Sequence, residues 1–328
     1  MMTEPVTIYR DSTQGLAKAQ PKRRRRLERA SAEGLPPLRL TKRDLAIVNA
    51  CYEYRALNTP QIQQLFFHYS NTYGQLVQCQ HRLKLLYHHG YLYRDEQPTK
   101  FREGHRPLIY FLDRKGAQLL SEYLGVEPAA LDWHPRSNAA GAGHLFLDHL
   151  LKTNDVRIAI NLAAAQEQAV LESWLDDKAL KSQQMKDYVQ LHDIGSDEAP
   201  VALVPDGYFC LKIGNRHQHH FVEADMGTVI AASGNAGRRD WAKKIRTYLK
   251  YHEHGQFQQR YQANSFRVLT VTTGERRLAH LKQVTEEVGG KARFWFTTFS
   301  QLTSETALSQ PIWQIAGREG VYSLIGHE

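Results

Sequence analysis

Val204-Pro205-Asp206-Gly207 opens an apolar run that reaches Ile213, and after a polar, His- and Asn-containing connection the chain continues as Phe221-Val222-Glu223-Ala224-Asp225. Two alternating apolar segments joined in this way predict neighbouring strands, with Asp206 at the mouth of the first. Residues two apart on a strand share a face, so Glu223 and Asp225 are expected to converge with Asp206 on one hard divalent cation held by carboxylate oxygens. A site of that kind suits phosphodiester chemistry. The plainer reading stands beside it: Pro-Asp-Gly commonly opens a turn, and acids at a strand end are often only solvated.

Working outward, 328 residues with 42% hydrophobic content suffice for a sizeable core and for two domains. No apolar stretch approaches the roughly 18 residues needed to cross a bilayer, and the N-terminus lacks the layout of a secretory signal, so a cytoplasmic protein without a membrane partner is expected. Cys51, Cys79 and Cys210 lie far apart in apolar-periodic segments and read as buried thiols. The net charge is +8 and it is unevenly spread: residues 1–135 hold 20 Lys and Arg against 13 Asp and Glu, the remainder 22 against 21. A regional excess of bases is the footprint of a polyanion partner, usually nucleic acid; its alternative is a solubilising surface.

Residues 1–38 are polar, without hydrophobic period, and include Lys22-Arg23-Arg24-Arg25-Arg26. They read as a disordered basic arm that either grips phosphate, through Arg23, Arg24 and Arg25 among others, or stays solvated. From Thr41 the pattern turns helical. Thr41-Lys42-Arg43-Asp44 is a capping box with Asp at its third helical position; Asn58 or Thr59 caps a short helix with Pro60 in its first turn; a third helix over about 73–89 ends at Gly90. Two strands follow, near 91–94 and 108–112, joined by a charged connection. Three helices and a β-hairpin spell a winged helix-turn-helix over 39–125, whose third helix enters a major groove while the hairpin tip meets the backbone. Gln75, Gln78 and Arg82 on that helix, and Lys100, Arg102 and Arg106 on the hairpin, are the expected contacts to double-stranded DNA. A winged helix used only for docking proteins is the other reading.

Residues 126–142 make a linker, and 143–328 a second, α/β domain. It comprises a long helix from His144, a short strand at 171–175, the acidic hairpin, a helix carrying Trp241, Ile245 and Tyr248, and then strand, helix and strand between Phe266 and Thr297. That last succession predicts a parallel crossover. His217 and His219 share a face, but with no third ligand in view they read as strand-surface residues. Tyr248 and Tyr251 read as packing residues.

Leu40-Thr41-Lys42-Arg43-Asp44, Arg82-Leu83 and Gly90-Tyr91-Leu92-Tyr93 in the first domain resemble the replication-relaxation proteins of plasmids and other mobile elements. So do His144, Asn154-Asp155-Val156, Val204-Pro205-Asp206-Gly207, Glu223-Ala224-Asp225-Met226-Gly227-Thr228, Lys244 and Tyr248 in the second. The resemblance implies a role in plasmid replication and DNA relaxation, without by itself implying a catalyst. The second domain also resembles the restriction-endonuclease fold, marked by Pro-Asp and then a strand ending acid-x-Lys. That likeness implies Mg²⁺ held by Asp206 and Glu223, with Asp225 beside them and Glu172 as a further acid. Asp225 stands where the lysine belongs, and an acid cannot take over a cation's stabilisation of developing phosphorane charge. Lys243 or Lys244, on the following helix, is expected to supply that charge. The fold expected is therefore mixed α/β, a winged helix followed by a restriction-endonuclease-like domain. The function expected is DNA binding in replication, relaxation or transfer by a protein with a degenerate nuclease core. A Mg²⁺-dependent endonuclease or nickase, with Asp206, Glu223, Asp225 and Lys244 as its catalytic set, stays open as an alternative. So do a scaffold for replication, transfer or partition proteins, and a homodimer reading two half-sites.

Overall fold

Thr41 accepts a hydrogen bond from the Asp44 backbone N–H, and the Asp44 carboxylate accepts one from Thr41 N at 2.6 Å, so the capping box closes both ways at the start of α1 (Lys42–Glu53). The computed structural model describes residues 29, 34–67, 72–96, 106–131, 133, 144–191, 199–227 and 234–326. The Arg23, Arg24 and Arg25 arm, Lys100 and Arg102 fall outside the described residues. By their contacts, residues 1–35 and 36–328 separate into two units, and all the helices and strands named below belong to the second.

After α1 come a two-residue strand β1 (Leu57–Asn58), α2 (Thr59–Phe66), α3 (Thr72–His88), β2 (Leu92–Asp95), β3 (Ile109–Leu112) and α4 (Arg114–Leu124). Asn58 caps α2 reciprocally with Gln61, and Pro60 sits in its first turn. Gly90, at φ 84°, ends α3 and turns the chain into β2. The three strands pair in the order β1-β3-β2, all antiparallel. Ile47, Val48, Ile62, Leu83, Leu86 and Leu112 meet in the core between helices and sheet. Gly116 sets how closely α4 lies on this layer, since a Cβ there would come within 2.3 Å of the Tyr91 carbonyl oxygen.

α5 (His144–Gln166) leads into β4 (Val170–Asp176), the single-turn α6 (Asp177–Leu180), a small hairpin of β5 (Asp187–Val189) and β6 (Val201–Leu203), then β7 (Gly207–Ile213), β8 (Arg216–Asp225), α7 (Gly234–Glu253), α8 (Gln256–Tyr261), β9 (Arg267–Thr272), α9 (Glu275–Glu287), β10 (Phe294–Thr298) and β11 (Gln314–Ile315). The larger sheet runs β11-β10-β9-β8-β7-β4. β4, β7 and β8 are antiparallel neighbours; β8, β9 and β10 run parallel, with α7 and α9 in the crossovers, the β9-α9-β10 one being that predicted from the strand-helix-strand pattern.

Alternation along β8 divides its residues between two layers. Val222 joins Phe209, Leu269, Val271 and the α5 residues Val156 and Ile160 on one face. On the other, Phe221 joins Tyr208, Val268 and Phe296 against Ile245, Tyr248 and Tyr251 of α7 and Leu278 and Leu281 of α9. Glu223 and Asp225 share parity with Phe221, so both start out on the α7–α9 side.

α5 also faces the first layer of the chain. The Asn154 amide donates to the carbonyls of Tyr54 and Ala56, at 3.1 and 2.7 Å, and the Gln61 amide donates to Leu151 O at 2.8 Å and to the Asp155 carboxylate at 2.7 Å. Ala56, Ile109 and Phe111 pack on Leu147, Leu150 and Leu151.

Candidate functional site: an acidic centre with its own lysine

Glu223 lies at the C-terminal end of β8, 2% exposed, and both its oxygens are taken. The Tyr248 hydroxyl donates to Oε1 at 2.6 Å, and Lys244 Nζ donates to Oε2 in a short ion pair. Tyr248 and Lys244 lie one helical turn apart on α7, which is why both reach the same carboxylate. Burial pushes the Glu223 carboxyl up to about 7, against the pull of Lys244. Burial would lower the Lys244 ammonium, but the charges of Glu223 and then Asp206 outweigh it and hold the lysine above its ordinary value. Lys244 therefore stays a cation.

Asp206 closes the other side. Its backbone N–H donates to Val222 O at 3.0 Å, and its Oδ2 accepts from Ala224 N at 2.8 Å, which pins the residue to the end of β8. His149, reaching across from α5, sets Nε2 3.3 Å from the same Oδ2 and 3.1 Å from Ala224 O. Burial works to raise the Asp206 carboxyl, yet the His149 hydrogen bond and the charges of Lys244 and His149 bring it below the ordinary value. The hydrogen bond to Asp206 in turn raises His149. Beyond His149 opens a small cleft bordered by Tyr54, Arg55, Phe146, Trp174 and Asp177.

Asp225, although on the same strand face as Glu223, is drawn away. Arg277 of α9 holds both its oxygens at 2.9 Å and the Thr272 hydroxyl adds a bond at 2.6 Å. Burial raises this carboxyl, and the Arg277 and Thr272 hydrogen bonds more than reverse the effect. Glu172 is elsewhere on the sheet: His217 Nε2 is 3.1 Å and Lys212 Nζ 3.7 Å from its carboxylate. Lys243 is exposed. The fold thus assembles Asp206, Glu223 and Lys244, and gives Asp225 and Glu172 other partners.

This set does not fit a divalent cation as it stands. Glu223 has no oxygen clear of a donor, Asp206 has one oxygen committed twice, and among the described residues no three His, Cys, Asp or Glu side chains are grouped so as to hold a metal.

On the first layer, α3 turns Tyr73, Val77, Gln80, His81 and Lys84 outward along one side, with Tyr73 77% and Val77 47% exposed, and Gln78 is exposed on another side. Arg82 is not on that face. Its Nε donates to the Asp44 carboxylate at 2.5 Å, a second guanidinium nitrogen pairs with the same group, and it also reaches Arg39 O at 2.6 Å. Asp44 is fully buried, so this is an internal ion pair tying α3 to the start of α1. Gln75 is half-buried, with its amide nitrogen inside the fold. Arg106 pairs with Asp148 of α5 at 3.2 Å.

A family model described as replication-relaxation matches residues 49–266, two thirds of the chain. The chain belongs to the replication-relaxation family. The matched span runs from α1 through α8 and holds the whole acidic centre, α3 and α5. Among curated proteins there is no match. Among solved structures the chain is similar to the restriction endonuclease FokI, at 10% identity and a TM-score of 0.25 over 79% of this chain and 42% of FokI. The DNA-bound form of FokI gives 10%, 0.24, 81% and 45%. The chain spans less than half the length of that enzyme.

Two members of the centre are not foreseen in the sequence of this replication-relaxation protein. Tyr248 reads there as a packing residue, and it is one, at 0% exposure, but its hydroxyl seals Glu223. His149 gives no signal beyond lying on a strongly apolar helix. A polar side chain one turn from Lys244 on the same helix was the clue available for the first; for the second, there was none.

Proposed function

We propose that this replication-relaxation protein is a duplex-DNA-binding replication factor of a mobile element, with a winged helix that reads DNA and a restriction-endonuclease-like core that holds a closed, non-cleaving acidic centre. The element order α1-β1-α2-α3-β2-β3, with sheet order β1-β3-β2, is what a winged helix requires, and its third helix leaves a polar face open. Between residues 36 and 131 there are twelve Lys and Arg against eight Asp and Glu, the sign a phosphate backbone selects. The order α5-β4-β7-β8-α7-β9, with Asp206 at the head of β7 and Glu223 on β8, supports the nuclease-like lineage.

The observation that carries the choice between binder and nuclease is the double engagement of Glu223 by Lys244 and Tyr248. A carboxylate whose two oxygens each already accept, one from a cation and one from a phenol, binds Mg²⁺ only by sharing an oxygen with a donor or giving one up. The second reading, a Mg²⁺-dependent nickase, draws on one fact: Lys244 reaches the acidic pair from α7, where a displaced catalytic lysine would stand.

The test is incubation of supercoiled plasmid with the protein in Mg²⁺, Mn²⁺ or EDTA, beside Asp206→Ala and Glu223→Ala. The binder reading expects no nicking and a mobility shift that weakens steeply with salt. Metal-dependent open-circular product, lost in both variants, would overturn it in favour of the nickase.

A further inference from the structure

If the first layer is the winged helix proposed above, the composition of the open face of α3 specifies which bases it can distinguish. A recognition helix places the side chains of its N-terminal half against base edges in the major groove. In this chain those are Tyr73 and Val77, followed on the same side by Gln80 and His81 at mid-helix; Gln78, one turn before Arg82, lies on the other side. Guanine is read above all by Arg or Lys bonding to O6 and N7; adenine by the bidentate amide of Gln or Asn; thymine by apolar contact with its methyl group. Arg82, the one arginine of α3, is withdrawn into its ion pair with buried Asp44 and its bond to Arg39 O. Lys84 is more than three turns from the start of the helix, on the same side as Tyr73 and Val77, where a backbone phosphate is the nearer target. What is left for the base edges on this side is the Gln80 amide, the His81 imidazole and the exposed Tyr73 and Val77 side chains.

We infer that the open face of α3, through Gln80 on adenine and Val77 and Tyr73 on thymine methyl groups, recognises A·T base pairs in duplex DNA and carries no arginine to read guanine. The large exposed hydrophobics fit this assignment: a tyrosine 77% exposed and a valine 47% exposed on a helix with an otherwise polar outer face have a contact surface in thymine methyls that water does not supply. Arg82 belongs to the framework of the reading head, so its loss would act on folding and leave base preference as it is.

The experiment is selection of bound sites from a pool of random duplexes by the full-length protein. Fluorescence anisotropy at one fixed salt concentration then compares the selected site, single A·T to G·C exchanges within it, and thymine-to-uracil exchanges that remove only the methyl group. The expected result is a core of consecutive A·T pairs, a loss of about 5- to 100-fold on exchange to G·C at a Gln-read pair, and a smaller loss on thymine-to-uracil exchange that disappears in Val77→Ala. Gln80→Ala should lose discrimination at one adenine while keeping overall affinity for phosphate. Both positions are exposed, so these variants keep the fold, and circular dichroism verifies that. Sites rich in G·C, or tight binding without base preference, overturn the inference and leave the DNA-binding reading standing. No binding to any duplex overturns both.

Discussion

Glu223 is an acid whose environment runs against the usual pH dependence of carboxylates. Its ordinary value is 4.5 and burial lifts it to about 7 in the fold, so between those two values the native chain holds a proton that the unfolded chain has released. Stability therefore declines with rising pH across that window, where a carboxylate of lowered pKa would make it climb. Glu223→Gln removes the titration, and urea midpoints for the variant are expected to gain on wild type from pH 4.5 to pH 7; two parallel curves would show that Glu223 does not titrate there. Lys244→Met is expected to cost about 3 kcal/mol at pH 8, where it strands a buried carboxylate, and clearly less at pH 5, where the carboxyl is neutral. His220 runs the other way. It is 0% exposed and stacked on Phe209 at 4.6 Å, with neither ring nitrogen hydrogen-bonded among the described residues, and burial takes it well below 6.5. A depressed histidine leaves stability intact above its unfolded value and withdraws it as pH falls below 6.5. His220→Phe should therefore flatten the acid limb of the stability profile and add about 1 kcal/mol at pH 7 by removing unpaired buried polar atoms; an unchanged acid limb would refute this. Of these residues strand parity and the Pro-Asp-Gly opening, both local, point to Asp206 and Glu223, and with them to Asp225, which Arg277 claims; Lys244 enters beside Lys243 only through the resemblance to the restriction-endonuclease fold. The sequence does not yield His149, because the contact to Asp206 spans the sheet and follows from how α5 lies on it, which no local pattern encodes.

At the level of elements, legibility followed the range of the chemistry. Both reciprocal caps, Thr41 with Asp44 and Asn58 with Gln61, are interactions three residues long; the sequence shows the first in full and narrows the second to Asn58 or Thr59. α4, α9 and the parallel β9–β10 pair are set by periodicity over many residues and are equally visible. The two-residue β1 and the β5–β6 hairpin are too short to carry a period, and they exist because β3 and a neighbouring segment complete their hydrogen bonds. The same contrast governs Arg82. Its helical position beside exposed Gln78 and His81 suggests a DNA contact, but Asp44, 38 residues earlier, claims it. The consequence is testable: Arg82→Met should destabilise the protein by about 3 kcal/mol, since it leaves buried Asp44 unpaired, with the salt dependence of DNA affinity unaltered. Lys84→Ala should do the reverse, leaving the melting temperature within error and lowering the slope of log affinity against log salt by about 1. Equal effects of the two variants on that slope would return Arg82 to the phosphate-contacting set.

Across the whole of residues 36–328, α5 is the element that decides how far the chain can be divided. Its apolar residues do not form one stripe. Leu147, Leu150 and Leu151 pack on Ala56, Ile109 and Phe111; Ile158 joins the core of the first layer; Val156, Ala159, Ile160 and Ala163 join the larger sheet. A helix apolar around its circumference is buried on all sides. Its polar residues serve both neighbours as well, Asn154 bonding the carbonyls of Tyr54 and Ala56, and His149 bonding Asp206. A division after residue 125, as composition and the linker suggest, would leave Ile109 and Phe111, each at most 7% exposed in the intact chain, open to water. Uncovering several such side chains costs about 1.5–3 kcal/mol each, a large share of the stability of a domain of this size. A fragment of residues 36–131 is therefore expected to bind a hydrophobic dye and melt without a cooperative transition, and a fragment of residues 36–166, which keeps α5, to melt at higher temperature with less dye bound. The intact chain should unfold in one step followed identically by tryptophan fluorescence and by far-ultraviolet circular dichroism. Cooperative melting of the shorter fragment would show that α5 is a lid on an independent domain, and two separated transitions in the intact chain would show that its two sets of contacts are not coupled.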